Sequence, residues 1–272
     1  MKNLPKITSK SNPLVKSVHL LKSKRAAESG LFICEGIKLV KEAVSSGSLI
    51  KYIFISDKFC ESKINGPFIK KIKGLDLEVI HTADSILNYL SDLVTHQGII
   101  AVVKKRFYQD DKLFDRSDGI ILLLYKLQDP GNLGTIIRVA EAGGVKGIII
   151  TDGTVDPYNP KTVRATMGSI FRMPIAKIDD VHGLIRKVKD LGYKGIGFFP
   201  KAEKEYFNED LTGPIILTFG HEAAGLTDEI GRLMDVRLKI PMSGDVESLN
   251  VAVSASVVIY ESMRQRQRLG KG

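Results

Sequence analysis

Cysteine is scarce in this sequence. Cys34 and Cys60 are its only two, in separate segments, with no CxxC pair and no histidines clustered around them, which argues against a disulfide framework and a cysteine-rich zinc site. No apolar run approaches the ~18 residues that span a bilayer. The first residues, MKNLPKITSKSNPLVKS, are basic and polar with no apolar stretch, unlike a secretory signal. A soluble cytoplasmic protein with no membrane partner is expected. The common nucleotide and hydrolase fingerprints are missing as well. No GxGxxG follows a strand, because the pair Gly195 and Gly197 runs into Pro200, and there is no GxxxxGK[ST] and no GxSxG elbow. His221-Glu222 opens like HExxH, but Gly225 stands where the second histidine belongs. Dinucleotide oxidoreductases, P-loop NTPases, serine hydrolases and zinc hydrolases thereby lose their support, and no metal is expected.

Acidic residues are absent from the N-terminal stretch. Lys2, Lys6, Lys10, Lys16, Lys22, Lys24 and Arg25 all precede the first acid, Glu28, and the tail adds Arg264, Arg266, Arg268 and Lys271. With Lys+Arg 40 against Asp+Glu 31, the net charge is +9, the balance of a protein that meets a polyanion. At 43% hydrophobic and 26% charged, the chain is otherwise an ordinary globular mix. Its 272 residues suit one large domain or two ordinary ones.

A charged, poorly periodic stretch from Lys104 to Lys112 separates two segments. Upstream, Ile37, Val40 and Val44 share a helical face. Short strands are predicted at 52–56, 77–80 and 99–103, with a helix over 84–92. Downstream, Ile120–Leu124 is an unbroken apolar run, which suits a strand covered on both faces. Leu133, Ile136, Ile137 and Ala140 then recur at i, i+3, i+4 and i+7, and Gly143-Gly144 ends that helix. Asn159-Pro160 starts a helix over 160–167. Strands follow at 148–150, 194–199, 214–219 and 236–240, with a final helix over 249–266. Such alternation predicts an α/β fold with a parallel sheet and helices on both faces.

Three loops follow apolar strands, and a parallel sheet gathers such loops at its carboxyl edge, where ligands bind. The first, Gln128-Asp129-Pro130-Gly131-Asn132-Leu133-Gly134, makes a tight turn in which Asn132 can cap a helix. That helix carries Arg138 on an otherwise apolar stretch, and a guanidinium there calls for an anionic or hydrogen-bonding partner. In the second, Leu217-Thr218-Phe219-Gly220-His221-Glu222, a glycine permits close approach to a ligand and a carboxylate follows. The third, Ile240-Pro241-Met242-Ser243 through Ser248-Leu249-Asn250, leads into a helix rich in small residues, Ala252, Ser254, Ala255 and Ser256.

Together these loops resemble motifs 1, 2 and 3 of the SpoU/TrmH branch of the SPOUT superfamily, the S-adenosylmethionine-dependent RNA 2′-O-ribose methyltransferases. The resemblance covers residues 118–266 and includes Asp156–Lys161 and Arg164–Ser169. More loosely, Ser11-Asn12-Pro13, Phe32–Gly36 and Thr95–Gly98 resemble the ribosomal-protein-like α/β substrate-binding domain of these enzymes. One departure is His221, where the family usually has asparagine, serine or another small polar residue.

The resemblance implies an RNA-binding domain over 1–106, a linker over 107–117 and a SPOUT catalytic domain over 118–272. It also replaces the plain doubly wound sheet by one with a deep C-terminal trefoil knot, an exception to unknotted chains. Arg138, Asn132, Glu222 and Asn250 would be catalytic, with Glu222 holding the arginine or a polar group of the cofactor. Thr218, Gly220, Ile240, Met242, Ser248 and Leu249 would bind S-adenosylmethionine. The enzyme would act as a homodimer through the knotted region on structured RNA. Ribosomal RNA of the 23S type is favoured over transfer RNA, because the family's compact tRNA enzymes generally lack the extra domain; antibiotic-resistance methyltransferases share the two-domain plan. The alternative from another class is a non-catalytic RNA-binding or ribosome assembly factor.

Overall fold

The computed structural model describes residues 6–23, 29–114 and 119–270. Lys2, Lys24, Arg25 and Lys271 of the basic ends, and residues 115–117 of the expected linker, lie outside the described residues. The chain forms two compact units, Met1–Lys105 with Tyr158–Phe171, and Arg106–Pro157 with Arg172–Gly272.

The first unit contains α1 (Pro13–Leu20), β1 (Leu31–Glu35), α2 (Ile37–Ser45), β2 (Ile50–Ser56), α3 (Asp57–Glu61), α4 (Gly66–Lys73), β3 (Val79–Thr82), α5 (Asp84–Leu90) and β4 (Ile99–Lys104). Its four-stranded sheet has the order β1-β4-β2-β3. The β4 strand runs antiparallel to both β1 and β2, whereas β2 and β3 are parallel. Val15, Val18, Ile33, Phe54, Ile86, Leu87, Leu90 and Val102 form one buried cluster. The motifs that suggested a substrate-binding module serve architecture here. Gln97 Oε1 accepts from the Ile37 N–H at 3.0 Å, which caps α2 where Gly36, at φ 90°, offers no side chain. Buried Glu35 accepts from Ser91 Oγ at 2.6 Å and from the Asp92 N–H at 3.1 Å.

The second unit begins with β5 (Ile120–Leu124), α6 (Pro130–Ala142) and β6 (Gly147–Thr151). Next in sequence is α7 (Pro160–Ala165), but its segment Tyr158–Phe171 belongs to the first unit. There Phe32 of β1 packs on Tyr158 and Phe171, with ring centroids 4.7 and 6.2 Å apart. The chain then returns through β7 (Ile175–Ile178), α8 (Val181–Asp190), β8 (Lys194–Phe198), β9 (Lys204–Glu205), β10 (Ile215–Phe219), α9 (Asp228–Leu233), β11 (Val236–Lys239) and α10 (Val251–Arg268).

All neighbouring strands of this seven-stranded sheet are parallel, in the order β7-β6-β5-β10-β8-β11-β9. Every residue of β5, β6 and β10 is buried, as the unbroken apolar runs require of strands covered on both faces. Leu133, Ile136, Ile137 and Ala140 form the buried stripe of α6. The helix α10 packs closely on the end of α6, since a Cβ built on Gly143 would lie 2.2 Å from Ile259 Cγ2. In register, Leu124 pairs with Phe219, so the first and second motif loops leave adjacent strands at one sheet edge. The Tyr125 N–H donates to the Phe219 C=O at 2.8 Å and ties their starts together. Among the described residues, no helix is long and apolar enough to cross a membrane.

Candidate active site

The first motif loop is shaped by its own side chains. Asp129 caps α6, its carboxylate accepting from the Asn132 N–H at 2.8 Å, and Pro130 occupies the first turn, where a missing N–H costs nothing. The cap expected at Asn132 therefore falls on Asp129. This leaves the Asn132 amide free to reach the other two loops.

Glu222 of the second loop closes onto the first. Its Oε2 accepts from the Gln128 N–H at 3.1 Å, and its Oε1 accepts from the Asp129 N–H at 2.8 Å and from Asn132 Nδ2 at 3.2 Å. Burial pushes this carboxyl up, but the backbone N–H groups of Asp129, Gln128 and Glu222 itself, with Asn132, outweigh it and hold the group below the usual carboxylate range. The remaining oxygen of Asn132 accepts from Asn250 Nδ2 at 2.9 Å. Asn250 Oδ1 in turn caps α10, accepting from the Ala252 and Val253 N–H groups at 2.9 and 3.4 Å. One polar chain, Glu222 to Asn132 to Asn250, thus fastens three loops that are far apart in sequence.

Beside this network lies a cleft of about 220 Å³. Phe198, Phe199, Leu226, Leu238, Ile240, Met242 and Leu249 give it an apolar lining, to which Gly220, His221, Glu222, Ser248, Val251 and Ser254 add polar atoms or backbone. The rings of Phe198 and Phe219 stack at a centroid distance of 4.7 Å. A Cβ on Gly220 would sit 2.2 Å from the Gly225 carbonyl carbon. A glycine is therefore required here by the closure of its own loop, and it also lines the cleft. On the opposite side the lining comes from Met242, Ser248 and Leu249 of the third loop, most of which is exposed to solvent.

The expected residues divide accordingly. Gly220, Ile240, Met242, Ser248 and Leu249 line the cleft together with Glu222, and Asn132 and Asn250 form the network behind it. Thr218 does not line it. It is fully buried in β10, and its hydroxyl has no hydrogen-bond partner. Arg138 is exposed and outside the network, its side chain making no hydrogen bond or ion pair among the described residues. On an ideal helix it lies six residues, about 9 Å, beyond Asn132 and about 120° around the axis. The partner of Glu222 is the first loop rather than the arginine.

Sequence reasoning missed the aromatic wall, although Phe198 and Phe199 end a predicted strand at the same sheet edge. It also missed Gln128 and Asp129 as donors to Glu222, because backbone N–H groups leave no trace in residue type.

Residues 119–260 match the SpoU rRNA Methylase family, and residues 12–101 match the MRM3-like substrate binding domain. The chain belongs to the SpoU rRNA methylase family. Among its relatives, the 23S rRNA (guanosine(2553)-2′-O)-methyltransferase RlmP of Bacillus subtilis is 31% identical over 94% of this chain and 98% of its own. Two solved SpoU-type structures superpose at TM-score 0.85. An AdoMet-bound rRNA methyltransferase from Sinorhizobium meliloti shares 30% identity over 97% of this chain and 98% of that one. The AviRb SpoU methyltransferase from Streptomyces viridochromogenes, in complex with AdoMet, shares 28% over 94% and 98%. These SpoU alignments span both units, so the likeness reaches beyond the motif loops.

Proposed function

We propose that this SpoU-family chain transfers a methyl group from S-adenosylmethionine to a ribose 2′-hydroxyl of ribosomal RNA, as a homodimer with a knotted C-terminal segment. The observation that carries the reading is the convergence of the three motif loops on one aromatic cleft, fastened by Glu222, Asn132 and Asn250. The cleft suits an adenosine-containing cofactor. Phe198, Phe219, Leu226 and Leu238 offer apolar surface to a flat base, and Glu222, His221 and Ser248 add polar atoms at its rim. Gly220, Ile240, Met242, Ser248 and Leu249 would hold it, largely through backbone atoms.

Bound there, the cofactor supplies a methyl group on a sulfonium, already activated as an electrophile. The chain must orient the ribose hydroxyl in line and stabilise the oxygen as it loses its proton. Glu222 does this indirectly: ionised throughout the neutral range, it keeps the first loop in place. Arg138, a planar and permanently charged group, stabilises the developing alkoxide or clamps the adjacent phosphate. Since Arg138 does not line the cleft of its own protomer, it would meet the cleft of a second copy. Exposed apolar side chains at Val246, Val253 and Tyr260 on the third loop and α10 support pairing at that face. The basic first unit, with Lys10, Lys16 and Lys38 exposed, would grip RNA phosphates. The near-full-length likeness to the 23S rRNA enzyme favours ribosomal RNA as substrate.

The test uses Arg138→Ala. Calorimetry with S-adenosylhomocysteine should show unchanged binding, whereas methyl transfer to ribosomal RNA should fall by about 10²–10³-fold. Near wild-type turnover would overturn the assignment. Ribose-methylation mapping with and without the protein, across ribosomal and transfer RNA, reads the substrate.

A further inference from the structure

His221 stands where the family resemblance leads one to expect asparagine, serine or another small polar residue, and its hydrogen bonds give the departure a physical account. Its Nδ1 accepts from the backbone N–H groups of Ala223 at 3.0 Å and Ala224 at 3.2 Å. Its own C=O accepts from the Gly225 N–H at 2.8 Å. A ring nitrogen that accepts carries no hydrogen, so the imidazole is neutral and Nε2 is protonated. An asparagine side chain places Oδ1 as many bonds from Cα as the histidine places Nδ1, and asparagine turns accept from the same backbone donors two residues on. The imidazole therefore does the work of a short polar side chain.

The loop it closes is tight and thinly supported. Ala223 and Ala224 are exposed, and Gly220 runs against the Gly225 backbone with no room for a Cβ. Glu222 leaves this same loop to reach Gln128, Asp129 and Asn132. Opening the 221–225 turn would move the carboxylate and the cleft wall together. Both His221 and Glu222 line the cleft, and among the described residues they are its only titratable lining side chains.

We propose that His221 is a positioning residue of the methyl-transfer site, whose unprotonated Nδ1 holds the 221–225 loop closed so that Glu222 meets the first motif loop and the cleft keeps its shape for the cofactor. The ligand half of this inference rests on the methyl-transfer reading; the loop half does not.

The test compares full-length wild type, His221→Asn and His221→Phe. In ¹⁵N-labelled, ligand-free wild type, the His221 ring should show the Nε2–H tautomer, and the Ala223 and Ala224 amides should shift in His221→Phe but remain near wild type in His221→Asn. In calorimetry, S-adenosylhomocysteine should bind His221→Asn within about twofold of wild type and His221→Phe about tenfold more weakly. The KM for S-adenosylmethionine should rise in His221→Phe with kcat little changed. An Nδ1–H tautomer, wild-type affinity in His221→Phe, or equal losses in both variants would overturn the proposal. If wild type itself fails to bind S-adenosylhomocysteine, the cofactor reading falls, and the tautomer and amide signals still decide the role of His221. Should His221→Phe not fold, His221→Ala carries the same comparison.

Discussion

Replacing Glu222 by glutamine keeps the side-chain size and exchanges one acceptor oxygen for an NH₂ donor. Oε1 receives the Asp129 N–H and Asn132 Nδ2, and Oε2 receives the Gln128 N–H. Whichever way the new amide turns, an N–H group faces another N–H. At least one hydrogen bond to a charged acceptor is lost, a change of about 1.5–3 kcal/mol. Glu222 is only half-buried, so solvent screening places the cost near the lower end, about 1.5 kcal/mol. A double-mutant cycle with Asn132→Ala should then show a coupling of about 1 kcal/mol, whereas a cycle with Arg138→Ala should be additive within about 0.5 kcal/mol. Urea unfolding at neutral pH measures both. The acid limb gives an independent check. The folded-state pKa of Glu222 is depressed, so its contribution is fully present above the unfolded carboxyl value of about 4.3. It disappears as the pH falls through the lower folded value, so the gap between wild type and Glu222→Gln should narrow in acid. Coupling to Arg138 with none to Asn132, or a gap that widens in acid, would refute the network.

Three further outcomes follow from individual positions. Thr218→Val removes a buried hydroxyl that has no partner; thermal or urea unfolding should show stability unchanged or raised by up to about 1 kcal/mol, and S-adenosylhomocysteine affinity should not change. Lys126 holds φ 53° between β5 and the first motif loop, a left-handed conformation costing roughly 1 kcal/mol in an L-residue. Lys126→Gly keeps the N–H that Thr151 Oγ1 accepts at 2.9 Å, so the midpoint of urea unfolding should rise by the equivalent of about 0.5–1 kcal/mol. Gly220→Ala forces a Cβ into the Gly225 backbone; a loss of about 1–3 kcal/mol on unfolding, with binding of S-adenosylhomocysteine abolished in calorimetry, is expected.

Much of the parallel sheet was legible because its strands are unbroken apolar runs between turn residues. Ile120–Leu124 and Ile215–Phe219 are buried along their whole length, and the four-position stripe of α6 packs as its spacing predicts. The elements sequence reasoning left unassigned are of a different kind. The strand β1 ends in Cys34-Glu35, and its glutamate is buried only because Ser91 and the Asp92 N–H meet it. The helix α8 is the exception, since Val181, Leu184, Ile185 and Val188 bury a stripe with the same spacing as that of α6. The strand β7 is too short, at four residues, to show a period. The sequence also assigned 158–171 to the catalytic segment, whereas its aromatic residues Tyr158 and Phe171 pack in the first unit against Phe32. Local pattern reports that a side chain is apolar, and only packing decides which core receives it.

By itself the sequence determined the α/β class, the basic character and the three chemically unusual loops, because each is a property of residue type and short-range spacing. Tertiary structure decided what those loops do for one another. Glu222 spends its charge on backbone N–H groups of the first loop, and Asn132 passes its cap to Asp129 and becomes the link to Asn250. Gly220 is required by a neighbouring carbonyl carbon, and His221 serves as an acceptor for two amides. Apart from the side-chain link between Asn132 and Asn250, these are bonds to backbone atoms, which are indifferent to the identity of the residue that offers them, so residue type alone does not reveal such partners.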